Sequence, residues 1–201
     1  MAVLKKFIVF EGCDGSGTST AIGRLKARCA AAGIAAVFTA EPTSGSIGGL
    51  VRRALSGEIS LAKETLAYLF AADRAEHLYG SGGLAELCAQ GSLVFCDRYV
   101  LSSLVYQGVE CGGELPERLN ETFPAPEKLF FFDVPVDVAQ QRIADRETLE
   151  IYETETFQRK VEAAYRTNLD FCRRQGSQVI IVDAALPPES VEAFLWAHCV
   201  R

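Results

Sequence analysis

Residues Phe7 to Thr20, FIVFEGCDGSGTST, limit the possible folds more than any other stretch of the chain. Phe7, Ile8, Val9 and Phe10 form an unbroken apolar run, the pattern of a strand buried on both faces. Gly12, Gly15 and Gly17 then interrupt it, and the sequence turns helical from Thr18. A strand, a glycine-rich loop and a helix N-terminus in that order make an anion site: backbone N–H groups converge and the helix dipole adds positive potential. Gly12 to Ser19 fits the phosphate-loop pattern G-x-x-x-x-G-K-[ST] at every fixed position but one. Thr18 stands where the lysine belongs. Gly12, Gly15, Ser16, Gly17, Thr18, Ser19 and Thr20 are therefore candidate phosphate ligands, and the Ser19 hydroxyl is a candidate Mg²⁺ ligand. What the loop lacks is the ammonium that follows the β- and γ-phosphates. Taken alone, it also reads as an ordinary strand-to-helix turn capped by Ser or Thr.

The remaining chain alternates helical and extended patterns. Ile22, Leu25, Cys29 and Ala32 mark a helix that Gly33 ends, and Ala35 to Thr39 reads as a short strand. Glu41 to Gly45 is a turn-rich loop, followed by helical spacing over 47–57, 61–78 and 82–90. Leu93 to Asp97 is a strand ending in an acid, the Walker B pattern, which makes Asp97 a second candidate metal ligand. Strands follow at Leu129–Val134 and Val179–Val182. Pro135 is placed at the first position of one helix, and further helices run from Phe157 to Gly176 and from Pro187 to Cys199. This order predicts an α/β, P-loop NTPase-type three-layer fold: a five-stranded parallel sheet with helices on both faces. It predicts one domain over 1–201, with a mobile lid at about 142–153 where charges replace apolar periodicity; a solvated surface loop is the plainer reading of that segment.

A net charge of −6 argues against non-specific binding to nucleic acid or anionic lipid, so any basic cluster in a cleft needs a local reason. The seven cysteines form no C-x-x-C pair, a usage that suits a reducing cytoplasm. His77 and His198 lack ligand spacing, and no zinc site is expected. The first strand follows Met1 closely, leaving no room for a signal peptide, and no apolar run has membrane-spanning length.

Five segments resemble the thymidylate kinases, over nearly the whole chain. FEGCDGSGTST resembles the family's FEGxDGxGKST, and EPTSGSIG with GLVRRAL resembles EPTxGxIGxxIR. LFAADRAEH resembles LFxADRxxH, DRYVLSSLVYQG resembles DRYxxSxxAYQG, and PAPEKLFFFDV resembles PxPDxxxxLDV with Glu127 for the Asp. The resemblance implies transfer of the γ-phosphoryl group of ATP to dTMP, with Mg²⁺, in a homodimer. It implies that Phe70 stacks on thymine and Arg74 bonds its carbonyl, that Arg98 meets the acceptor phosphate, and that Ser103, Tyr106 and Gln107 read base and deoxyribose. It further implies that Asp14 contacts the sugar hydroxyl and the metal shell, that Glu41 and Pro42 form a bend beside the phosphates, and that Arg142 and Arg146 cover the donor. Without it, Phe70 reads as core packing and Asp97-Arg98 as a structural ion pair. Two positions depart from the family, Thr18 for lysine and Ala40 for the arginine before Glu-Pro. Both losses are cations near phosphate. They motivate one alternative, a catalytically degenerate nucleotide-binding paralogue; a kinase for another nucleoside monophosphate is a separate one.

Overall fold

The structure, a computed structural model, describes residues 2–144, 152 and 154–199. Strands β1 (Val3–Gly12), β2 (Ala36–Ala40), β3 (Leu93–Asp97), β4 (Ala125–Asp133) and β5 (Gln178–Asp183) form one sheet in the order β2-β3-β1-β4-β5. Every neighbouring pair is parallel. The helices are α1 (Thr18–Ala31), α2 (Ser46–Leu55), α3 (Lys63–Tyr79), α4 (Leu84–Ala89), α5 (Val100–Cys111), α6 (Glu114–Asn120), α7 (Val136–Ile143), α8 (Glu155–Arg174) and α9 (Pro188–Cys199). The expected five-stranded, helix-covered sheet is present.

Alternation along β1 explains the layers. Ile8 and Phe10 face a core with Leu25 of α1, Ala139 of α7 and Leu195 of α9. Phe7 and Val9 face the other side, where Leu78 of α3, Leu84 of α4 and Leu104 of α5 pack. Within the first of these cores, Phe10 touches Phe95, Phe130 and Phe132 at ring separations of 5.8, 5.6 and 6.3 Å, which ties β1, β3 and β4 together beneath the loop that follows. Because β1 has β3 on one side and β4 on the other, and the chain leaves β1 and β3 towards opposite faces, a crevice opens at their carboxyl ends. Phe10 lies opposite Asp97 there.

Several boundaries differ from the sequence reading. β1 begins at Val3, four residues early, because a register irregularity between Leu4 and Ile8, with Lys6 at φ 62°, lets Val3 pair with Ala125; β4 is longer for the same reason. Pro135 precedes α7 instead of opening it, since its ψ of 138° is extended. α7 runs to Ile143, so the expected lid's first two residues are helical. The rest of that segment, Ala144 and Tyr152 apart, lies outside the described residues, as does Arg146. No described helix is long and apolar enough to cross a membrane.

Candidate active site

The glycines of the first loop are there for space. A Cβ on Gly12 would lie 2.5 Å from Ser16 Oγ, and one on Gly15, at φ +83°, would lie 2.2 Å from the Ala139 carbonyl oxygen. Gly17, at φ 90°, enters α1 with no side-chain cap, so the first-turn N–H groups stay open to an anion. Ser16 Oγ is buried and has no partner among the described residues. Thr18 is buried and lines the adjoining cleft. Ser19 Oγ donates to Asp97 Oδ2 at 2.9 Å, and Asp97 Oδ1 is buried without a partner among the described residues. Two oxygen ligands thus converge where loop and β3 meet, a donor set suited to a hard cation such as Mg²⁺.

Arg98 follows β3 in the left-handed region, at φ 66°. Its Nη2 donates to Asp14 Oδ1 at 2.6 Å, and its Nη1 donates to the Gly12 carbonyl at 3.1 Å. Asp14 Oδ2 also accepts from Tyr106 Oη at 3.0 Å and Gln158 Nε2 at 2.7 Å. Asp14 is therefore grouped with Arg98 and not with the Ser19–Asp97 pair. Behind Arg98 lies Glu11, fully buried and bonded to Tyr99, Ser102 and Tyr165. Burial pushes the Glu11 carboxyl up to about 7, a rise only partly offset by the Ser102 hydrogen bond and the Arg98 charge. Burial likewise pushes the loop thiol of Cys13 up to about 12, which leaves it inert as a nucleophile.

At the other end, Arg74 of α3 is fully buried. Its Nε and Nη2 reach Glu41 Oε2 at 2.9 and 2.7 Å, while Nη1 donates to Ser103 Oγ at 3.1 Å and to Asn120 Oδ1. Glu41 Oε1 meets His77 Nδ1 at 3.0 Å, and His77 Nε2 lies 2.8 Å from Thr39 Oγ1. Gln107 Oε1 is buried and has no partner among the described residues.

One cleft of about 480 Å³ joins these groups. Gly15, Gly17, Thr18, Ser19 and Thr20 line one end, with Asp14 and Arg98 between them and Glu41, Pro42, Phe70, Arg74, Ser103, Tyr106 and Gln107. Gly12, Ser16 and Asp97 are not among its lining residues; Ser16 lines the second cavity, beside the loop. Four arginines line it in an acidic protein, Arg52, Arg74, Arg98 and Arg142. Sequence reasoning passed over Arg52, which donates to the Pro42 and Thr43 carbonyls. The signal was available, since Arg52 is the arginine that closes the EPTxGxIGxxIR pattern matched from Glu41 onward. It also passed over Tyr152, which lines the cleft and stacks on Phe157 at 4.9 Å. A second cavity of about 290 Å³ opens beside the loop, between Gly17, Arg142, Ala184 and Leu186. Arg142 bridges the two, donating from Nη1 to the Ser16 carbonyl at 3.4 Å and from Nη2 to the Ala184 carbonyl at 2.9 Å.

Comparison with known proteins gives one result. Residues 10–195 match the family model described as thymidylate kinase. A Treponema pallidum protein with a provisional thymidylate kinase name is 44% identical, the match covering 98% of this chain and 96% of the relative. The thymidylate kinase of Thermomicrobium roseum is 37% identical over 95% of this chain and 92% of its own. An Aeropyrum pernix protein, also provisionally named, is 39% identical over 89% and 85%.

Proposed function

Since this chain belongs to the thymidylate kinase family, we infer that it transfers the γ-phosphoryl group of ATP to dTMP, giving ADP and dTDP. The observation that carries this reading is the single cleft running from the phosphate loop to Phe70, Arg74 and Gln107. Two phosphate esters bound at its ends meet near Asp14 and Arg98, in a geometry that positions them and excludes water.

At the acceptor end, Phe70 offers a ring face to a base, and Arg74 donates to a carbonyl on it. The unpaired Gln107 Oε1 accepts from an imide N–H, which thymine has and cytosine lacks. Arg98 meets the acceptor phosphate, and Asp14, bonded to Tyr106, faces the deoxyribose. At the donor end, the N–H groups of Gly15 to Thr20 hold the β- and γ-phosphates, and the cavity beside Arg142 and Ala184 takes the donor base. Ser19 and Asp97 would hold Mg²⁺, which would neutralise developing phosphate charge. Arg142 supplies the cation that Thr18 lacks, and Arg52 brings another to the loop that Ala40 precedes. The free, mostly buried thiols support a cytoplasmic setting. The exposed rings of Tyr68 and Tyr79 on α3 support a face for the homodimer implied by the family.

Turnover of a panel of deoxynucleoside monophosphates with ATP and Mg²⁺ tests the reading. dTMP is the preferred acceptor; equal turnover of dGMP refutes the assignment of the base pocket.

A further inference from the structure

We propose that Glu11 is a positioning residue for phosphoryl transfer: it holds the left-handed turn that aims Arg98 at the acceptor phosphate. The proposal rests on the role assigned to Arg98 above.

A residue bearing a side chain enters the left-handed region unfavourably and stays there only when its surroundings force it. At Arg98 the force comes from β1 on both sides of the residue. The Arg98 N–H donates to the Phe10 carbonyl at 2.9 Å, and the next N–H, of Tyr99, donates to Glu11 Oε1 at 2.9 Å. Oε1 also accepts the Ser102 N–H at 3.2 Å, so Glu11 caps the first turn of α5, whose own N-cap residue contributes no side-chain bond. Oε2 accepts the Ser102 hydroxyl at 2.6 Å and the Tyr165 hydroxyl at 3.2 Å. Tyr165 Oη lies in turn 3.1 Å from the Gly12 carbonyl and 3.4 Å from Arg98 Nη1. The carboxylate thus meets four donors, one from the β3–α5 turn, two from the first turn of α5 and one from α8, and all of them surround Arg98.

Glu11 is fully buried and does not line the cleft, so it touches no substrate. Core packing does not account for a carboxylate here, because burial without partners is strongly unfavourable. Its bonds instead fix Tyr99 and Ser102, just after Arg98, while the Phe10 carbonyl next to Glu11 holds the N–H of Arg98 itself. A small displacement there moves the guanidinium relative to the phosphate, and such misplacement is costly in rate.

The test is a double-mutant cycle in the full chain, with Glu11→Ala and Glu11→Gln each combined with Arg98→Ala. Glu11→Ala is expected to lower kcat/KM for dTMP by ~10–100-fold while leaving KM for ATP within about twofold. Glu11→Gln should cost less, ~5-fold, because one amide oxygen can still accept both backbone N–H groups. In the Arg98→Ala background neither substitution should cost anything further. If Glu11→Ala does not fold, the isosteric Gln variant carries the cycle. Additive losses, an equal rise in KM for ATP, or unchanged dTMP kinetics in both Glu11 variants overturn the proposal. If Arg98→Ala itself leaves dTMP kinetics intact, the role of Arg98 fails and this proposal with it. An enzyme sensitive at Arg98 and insensitive at Glu11 refutes the positioning role alone.

Discussion

Arg142 Nη1 lies 3.4 Å from the Ser16 carbonyl oxygen, so a guanidinium from α7 rests against the phosphate loop two residues before Thr18. Its Nη1 is also 3.7 Å from where a Cβ on Gly17 would be. Losing one preorganised positive group costs ~10²–10³ in rate. Arg142→Ala is therefore expected to lower kcat by that factor, with KM for dTMP little changed. Steady-state kinetics with each substrate varied in turn checks this.

Gly15 has no room for a methyl group. Both its φ of +83° and the 2.2 Å approach to the Ala139 carbonyl oppose a side chain, and that contact is with backbone. Gly15→Ala is expected to destabilise the fold by about 1–3 kcal/mol and to weaken ATP binding more than dTMP binding. Thermal unfolding and calorimetric titration with each nucleotide measure the two effects.

The Glu41–Arg74 pair is buried on both sides, with side-chain exposures of 3% and 1%. Removing one partner of such a pair leaves an uncompensated charge. Glu41→Ala is expected to cost about 3–5 kcal/mol in stability and to raise KM for dTMP, since Arg74 is freed to turn. Urea unfolding, paired with dTMP kinetics on the folded fraction, gives both numbers.

Glu11 makes stability fall as pH rises. The folded protein keeps its proton up to about pH 7, whereas the unfolded chain releases it near 4.5. Protonation therefore favours the folded state. That stabilisation is complete below pH 4.5, declines between 4.5 and about 7, and is gone above. The gap is worth about 3 kcal/mol. Unfolding free energies of wild type and Glu11→Gln, compared from pH 4.5 to 7, should diverge by that amount, with the wild type losing stability relative to the variant.

How much of this was legible in the sequence depends on distance along the chain. The phosphate loop and β3 were legible because their signals are local: apolar runs, glycines and a terminal acid within about a dozen residues. Phe70 and Arg74 were legible as neighbours on one helix turn, but their place in the cleft was expected only from the resemblance to the family. Glu11 was not legible as a structural anchor, because its partners Ser102 and Tyr165 lie 91 and 154 residues away. Asn120 was missed for the same reason, being 46 residues from Arg74 and in α6, a short polar helix with Pro116 inside it. A buried polar side chain looks like a surface one until its partner is known. Arg98's conformation was also hidden, since nothing in a single residue announces a left-handed turn imposed by a neighbouring strand.

The central claim is that the chain phosphorylates dTMP with Thr18 in the lysine position. It is tested most directly by kcat for dTMP and ATP in wild type, Thr18→Lys, Arg142→Ala and the double variant. The account predicts robust wild-type turnover, a severe loss in Arg142→Ala, little gain in Thr18→Lys and partial rescue in the double variant. Negligible wild-type turnover, with activity appearing only once Thr18 is lysine, would contradict it.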